Sequence, residues 1–330
     1  MLKRILSLLG VLVLAAALVW VGLPHWPARQ MTEGAQLVIP QGASLPKIAA
    51  EIERIGVAPA WTVRLVARKR GTAARLKPGT YRLDGIGNVG ELLEAIESGR
   101  ALLATLKMVE GMNLRELHAL LEKATQPPHR LSLDEVETIE DINARFGQGY
   151  PSAEGWFFPD TYAIAPGSSA RALLATMHER MKRELDQVWQ ARAPNLPLRN
   201  PYEALILASI IEKETGREAD RPLVASVFIN RLRLGMRLQT DPTVIYGLGA
   251  DFDGDLRKRD LVTDTPYNTY TRGGLPPTPI AMPGRASLRA AVAPAETDYL
   301  YFVARGDGSS EFSRNLAEHN RAVARYQLKR

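Results

Sequence analysis

One glutamate in this sequence is placed to do acid–base chemistry. The stretch Glu203 to Gly216, EALILASIIEKETG, is helical by composition and closes on a glycine suited to a helix C-cap. At about 100° per residue with Glu214 as origin, Leu207 falls at about 20°, Ile210 at about −40° and Ile211 at about 60°. Glu214 therefore shares the apolar face, while Glu212 lies about 160° away beside Ser209 and Lys213, on the side expected to be solvated. A carboxyl on a buried face loses the hydration of its ionised form, which raises its pKa and makes it a usable general acid near neutral pH. The same residue also reads as a helix-end carboxylate reaching water or a salt bridge, and the wheel alone leaves both open.

Other chemistries find little support. The chain has no cysteine, which excludes a thiol nucleophile, a disulfide framework and thiolate metal sites. The five histidines, at positions 25, 118, 129, 178 and 319, are scattered without an H-E-x-x-H pair. Asp251, Asp253 and Asp255 alternate in DFDGD, but the sixth and twelfth positions of that loop are Leu256 and Val262, so a calcium loop fails. Ser44 to Lys47 fits S-x-x-K, yet its companion motifs are missing and Pro46 interrupts it. No metal and no cofactor is expected.

Three segments carry more polar and aromatic capacity than plain connections need. Tyr150, Trp156, Phe157, Phe158 and Tyr162 crowd around Glu154 and Asp160, an arrangement that suits either a sugar ring or a core. The run Gln239, Thr240, Asp241, Pro242 and Thr243 reads as a polar loop after a helix from Arg221. A second such loop, YNTYTRGGLPPTPIAMPG from Tyr267 to Gly284, has prolines and glycines that fix an unusual path. A strand at Tyr299 to Val303 and a short tail from Phe312 complete this part.

The elements that must hold these residues fall into an α+β order. The length of 330 residues, with 45% hydrophobic and 24% charged, suits about two globular domains. Residues 1–4 read as a cytoplasmic tail, with Lys3 and Arg4 before the uncharged run 5–23, long enough for a single-pass transmembrane helix that leaves the rest exported. A cleaved signal peptide is the competing reading of that run. A linker spans 24–36. Residues 37–102 follow as a small α/β module ordered strand, helix, helix, strand and helix, and the larger mixed α+β domain spans 103–330. The net charge of +6 is a mild excess, and an exported domain makes nucleic acid an improbable partner.

The motifs ASIIEKETG, RPLVASVFINRLRLGMRLQTDPTVIYG, YNTYTRGGLPPTPIAMPG and EGWFFPDTY together resemble the endolytic murein transglycosylase family, also called MltG or YceG-like. The likeness runs over nearly the whole chain. It implies a LysM-like small module, a catalytic domain at 103–330, and an inner-membrane anchor with that domain in the periplasm. It also implies lytic cleavage of the MurNAc–GlcNAc bond within peptidoglycan strands, leaving 1,6-anhydro-MurNAc ends and terminating strand elongation. The family's catalytic glutamate falls at Glu214, and Glu154, Gln239, Asn268 and Tyr270 are expected to line the sugar cleft. Peptidoglycan synthases are the partners implied. The rival reading is a non-catalytic, membrane-anchored glycan-binding partner of those synthases.

Overall fold

A computed structural model describes residues 20–29, 34–102, 104–126, 131, 138–165 and 167–328. The expected cytoplasmic tail and residues 5–19 of the expected anchor lie outside these. Among the described residues no helix is long and apolar enough to cross a membrane. The chain is a mixed α+β protein that divides into two units.

The first unit takes the described residues up to Leu106, with parts of 124–134 and 162–169. Strand β1 (Gln36–Ile39) leads through helices α1 (Leu45–Arg54) and α2 (Ala60–Arg70) to β2 (Gly79–Arg82), and α3 (Val89–Ser98) follows. The two strands pair antiparallel from Gln36 opposite Arg82 to Ile39 opposite Gly79, which turns Leu37 and Tyr81 into one core. Ile48, Ile52, Val63, Val66, Leu92 and Ile96 cover them at helical spacing. The Tyr81 hydroxyl donates to the Lys77 and Ile96 carbonyls at 2.8 and 3.2 Å, so its polar tip is satisfied inside.

The segment expected as a linker is tied into this unit. Ala28 is buried, as is Leu23, the last residue of the expected anchor, and Trp26 meets Trp61 edge-on at 5.3 Å. The Val89 N–H donates to the Trp26 carbonyl at 3.0 Å, and the Arg29 N–H to Val57 at 2.9 Å. Apolar side chains with a core at hand bury themselves, and a sequence read for turns and charge does not show that.

Strands β3 (Ala104–Lys107) and β4 (Thr161–Ile164) pair with each other, and the division between units falls within both. The second unit is largely helical: α4 (Leu114–Ala124), α5 (Ile139–Phe146), α6 (Ala170–Gln190), α7 (Pro201–Glu214), α8 (Arg221–Arg233), α9 (Asp241–Leu248), α10 (Lys258–Val262) and α11 (Arg285–Val292). An antiparallel ribbon of β5 (Tyr301–Ala304) and β6 (Ser310–Ser313) precedes α12 (Leu316–Tyr326). Helix α7 is the centre, packed against α6, α8, α9 and α11.

Four expectations change. Residues 203–211 of α7 are buried on every side, and the Glu212 side chain is buried with them rather than solvated. The helix ends at Glu214 with Thr215 in an extended conformation, and Gly216 is not its cap. The polar run after Gln239 is the start of a helix, because Asp241 and Pro242 occupy its first turn, where an acid meets the dipole and the missing N–H costs nothing. The tail from Phe312 is a strand and a helix packed on β5.

Candidate functional site

Helix α7 positions Glu214 from its N-terminus onward. Asn200 accepts the Glu203 N–H at 3.0 Å, Pro201 occupies the first turn, and Glu203 accepts the Arg199 N–H at 2.7 Å. These fix the register that carries Ala204 to Ile211 through the core and delivers Glu214 to the wall of a cavity of about 530 Å³.

Thr240 is the N-cap residue of α9, but its hydroxyl does not cap that helix and donates to the Glu214 carboxylate. A side chain that ordinarily satisfies a helix end is diverted to the candidate acid. Thr269 holds Thr240 in place: its Oγ1 accepts the Thr240 N–H at 3.1 Å and shares a 2.9 Å bond with Thr243, while its carbonyl accepts the Gln239 N–H at 3.2 Å. The two polar segments singled out in the sequence are thus stitched together beneath Glu214.

The electrostatics follow from these neighbours. Burial is the largest influence and pushes the Glu214 carboxyl up to about 7, the Thr240 hydroxyl pulls it down, the Asp241 charge pushes it up and Arg231 pulls it down. Arg231 is itself buried, donating to the Leu300 and Leu238 carbonyls at 2.7 Å each and lying over the Tyr301 ring at 5.0 Å. Asp241 accepts the Tyr270 hydroxyl at 2.6 Å. Among the described residues no group of three or more metal-ligating side chains occurs.

Of the expected cleft residues, Gln239 and Tyr270 border the cavity with Glu214. Gln239 does so from a left-handed backbone with φ of 52°, its Oε1 3.4 Å from Arg231 Nη1. Glu154 and Asn268 do not border it. Asn268 is fully buried, donating to the carbonyls of Asp260, Leu261 and Thr263 and accepting the Tyr270 N–H at 2.8 Å, so it positions Tyr270 from behind. Glu154 is buried against the first residue of α4, accepting the Leu114 N–H at 3.0 Å and the Tyr246 hydroxyl at 2.9 Å. The aromatic cluster around it is core: Trp156, Phe157, Phe158 and Tyr162 are buried, and only Tyr150 is exposed.

Glu212 is a further correction. Its carboxylate pairs with Arg221 at 3.1 Å and accepts the Gly284 N–H at 2.9 Å, with both side chains under a tenth exposed. Arg231, Asp241, Tyr301 and His319 border the cavity without having been singled out for it. The TDP triplet was the signal for Thr240 and Asp241. Nothing local marks the other three.

This architecture has relatives. A family model described as the YceG-like family matches residues 37–325. A Bacillus subtilis protein named endolytic murein transglycosylase is 32% identical over 303 residues, covering 87% of this chain and 83% of its own. One of the same name from Streptococcus pneumoniae is 27% identical, and the match spans 57% of that longer protein. A solved yceG-like protein of Listeria monocytogenes aligns with a TM-score of 0.53 and 29% identity, over 87% of this chain and 98% of that one. With the family model spanning both units, the chain belongs to the YceG-like family.

Proposed function

We propose that this chain is an endolytic murein transglycosylase, a lyase that cuts peptidoglycan glycan strands between MurNAc and GlcNAc, with Glu214 as its acid and base. The observation that carries this reading is the state of Glu214: a carboxyl pushed to about 7 at a cavity wall, held by a neutral hydroxyl. At neutral pH it is protonated in a large fraction of molecules, so it can donate to the glycosidic oxygen as the bond to the anomeric carbon breaks. The carboxylate left behind takes the proton of the muramic 6-hydroxyl, whose oxygen closes on the same carbon. The products are a 1,6-anhydro end and a free hydroxyl on the leaving sugar, and no water is consumed.

A hydrolytic glycosidase uses two carboxylates with separate tasks. Here the neighbouring acid, Asp241, is bonded to Tyr270 and serves to raise Glu214. Gln239 and Tyr270 are positioned to orient the sugar.

The apolar run 5–23 supports a single-pass anchor in the inner membrane, with the catalytic domain at 103–330 in the periplasm. The βααβ order of 37–102 supports a LysM-like glycan-binding module, and peptidoglycan synthases are the partners this placement suits. Incubation of the protein with uncrosslinked glycan strands, followed by mass spectrometry, tests the activity. Anhydro-muramyl ends that disappear in Glu214→Gln are expected; reducing ends would make it a hydrolase, and intact strands a binding protein.

A further inference from the structure

The cavity at Glu214 has a second wall to which proton transfer assigns no task. It is built by β5 and α12, and the side chains Leu316, His319 and Val323 face it from one side of α12, three and four residues apart. The His319 ring stacks on Tyr301 with centroids 5.2 Å apart and planes 24° apart. Arg231, which lies over the same tyrosine, connects this wall to the surroundings of Glu214.

The imidazole has one nitrogen out of use and one open. Nδ1 is enclosed and has no hydrogen-bond partner. The ring borders the cavity, so with Nδ1 enclosed the Nε2 side is the one open to it. A buried N–H is left without an acceptor more rarely than a buried lone pair is left without a donor, which favours the tautomer with the lone pair on Nδ1 and the proton on Nε2. Burial, then the Arg231 charge, push the ring below the ordinary histidine value, which keeps it neutral. The wall therefore offers a single N–H donor flanked by the apolar ends of Leu316 and Val323.

We propose that His319 is a substrate-contacting residue whose Nε2–H donates to the carbonyl oxygen of a sugar N-acetyl group, with the acetyl methyl against Leu316 and Val323. A bare hydroxyl would use the donor but not the apolar flanks; an amide carbonyl bearing a methyl uses both. This rests on reading the cavity as a glycan site.

Binding of uncrosslinked glycan strands to the full chain carrying Glu214→Gln, which leaves the ligand uncut, tests it. Adding His319→Phe, which keeps a ring on Tyr301 and removes the donor, weakens binding about tenfold; His319→Gln, which restores an N–H, stays within about threefold. On N-deacetylated strands the His and Phe proteins bind alike. Equal affinity of the His and Phe proteins for acetylated strands overturns the assignment, as does an equal loss on deacetylated strands or no strand binding at all. Anhydro ends from the otherwise unaltered protein, with no effect at position 319, would reject this contact and leave the proposed activity standing. Reducing ends together with the expected binding pattern would do the reverse.

Discussion

Glu212 and Glu214 sit two residues apart at the end of one helix and are held by opposite kinds of partner. Glu212 is bonded to the Arg221 guanidinium and a backbone N–H, whereas Glu214 is bonded to the Thr240 hydroxyl beside the Asp241 carboxylate. A hydroxyl donor in a desolvated wall leaves the raised Glu214 carboxyl able to gain and lose a proton near neutral pH. The first arrangement is that of a scaffold, and the second is the one the proposed chemistry requires.

The neighbours of Glu214 tune it in opposite directions. Thr240→Val removes a donor that pulls its pKa down, so the pKa rises; Asp241→Asn removes a like charge, so it falls. Each shift is about half a unit to one unit. In a pH–rate profile of anhydro-product formation, the limb belonging to Glu214 moves up in the first variant and down in the second. Movement of both in one direction would sink this electrostatic account.

Glu212 carries stability. Arg221→Ala leaves its carboxylate buried without a cation and lowers stability by about 3–5 kcal/mol, read by denaturant titration. Glu212→Gln keeps an acceptor for the Gly284 N–H, melts lower than the unaltered chain, and retains turnover within about threefold. A folded Glu212→Gln protein as inactive as Glu214→Gln would show that the roles are reversed.

Glu154 makes stability depend on pH. Burial raises its carboxyl to about 7 against the Leu114 and Tyr246 bonds that lower it. A raised folded pKa means that its contribution is fully present below about pH 4.5 and is lost as pH climbs through about 7. Glu154→Gln cannot ionise, so relative to the unaltered chain it gains stability between pH 5 and pH 8, on the order of 2–3 kcal/mol. Calorimetry at the two pH values checks this; a difference that does not change with pH contradicts it.

Gly155 separates Glu154 from Trp156 at φ +82°, and a Cβ there would stand 2.5 Å from the Pro279 ring. Neither the turn nor the ring can yield cheaply. Gly155→Ala is expected to cost about 2–4 kcal/mol, from the left-handed backbone and the overpacking together, measured as a fall in denaturation midpoint. A loss under about 1 kcal/mol would mean that the loop relaxes around the methyl.

The sequence by itself determined the α+β class and most of the helices and strands, because periodicity, turn residues and charge act over a few positions; Glu214 stood out through the motifs that carry the family resemblance. The reason first attached to Glu214 did not survive. Residues 203–211 of α7 are buried all round, so a wheel does not separate Glu214 from Glu212, and the distinction lies with Arg221, Gly284 and Thr240, which reach α7 from other elements. Asn268 and Glu154 were visible as polar residues in suggestive segments, but only packing decided that one braces Tyr270 and the other closes onto α4. Arg231, Tyr301 and His319 come from a helix, a strand and a helix spread over almost ninety positions. What a side chain can do is written in its type. What it is asked to do depends on which distant groups desolvate it, and that exists only once the chain has folded.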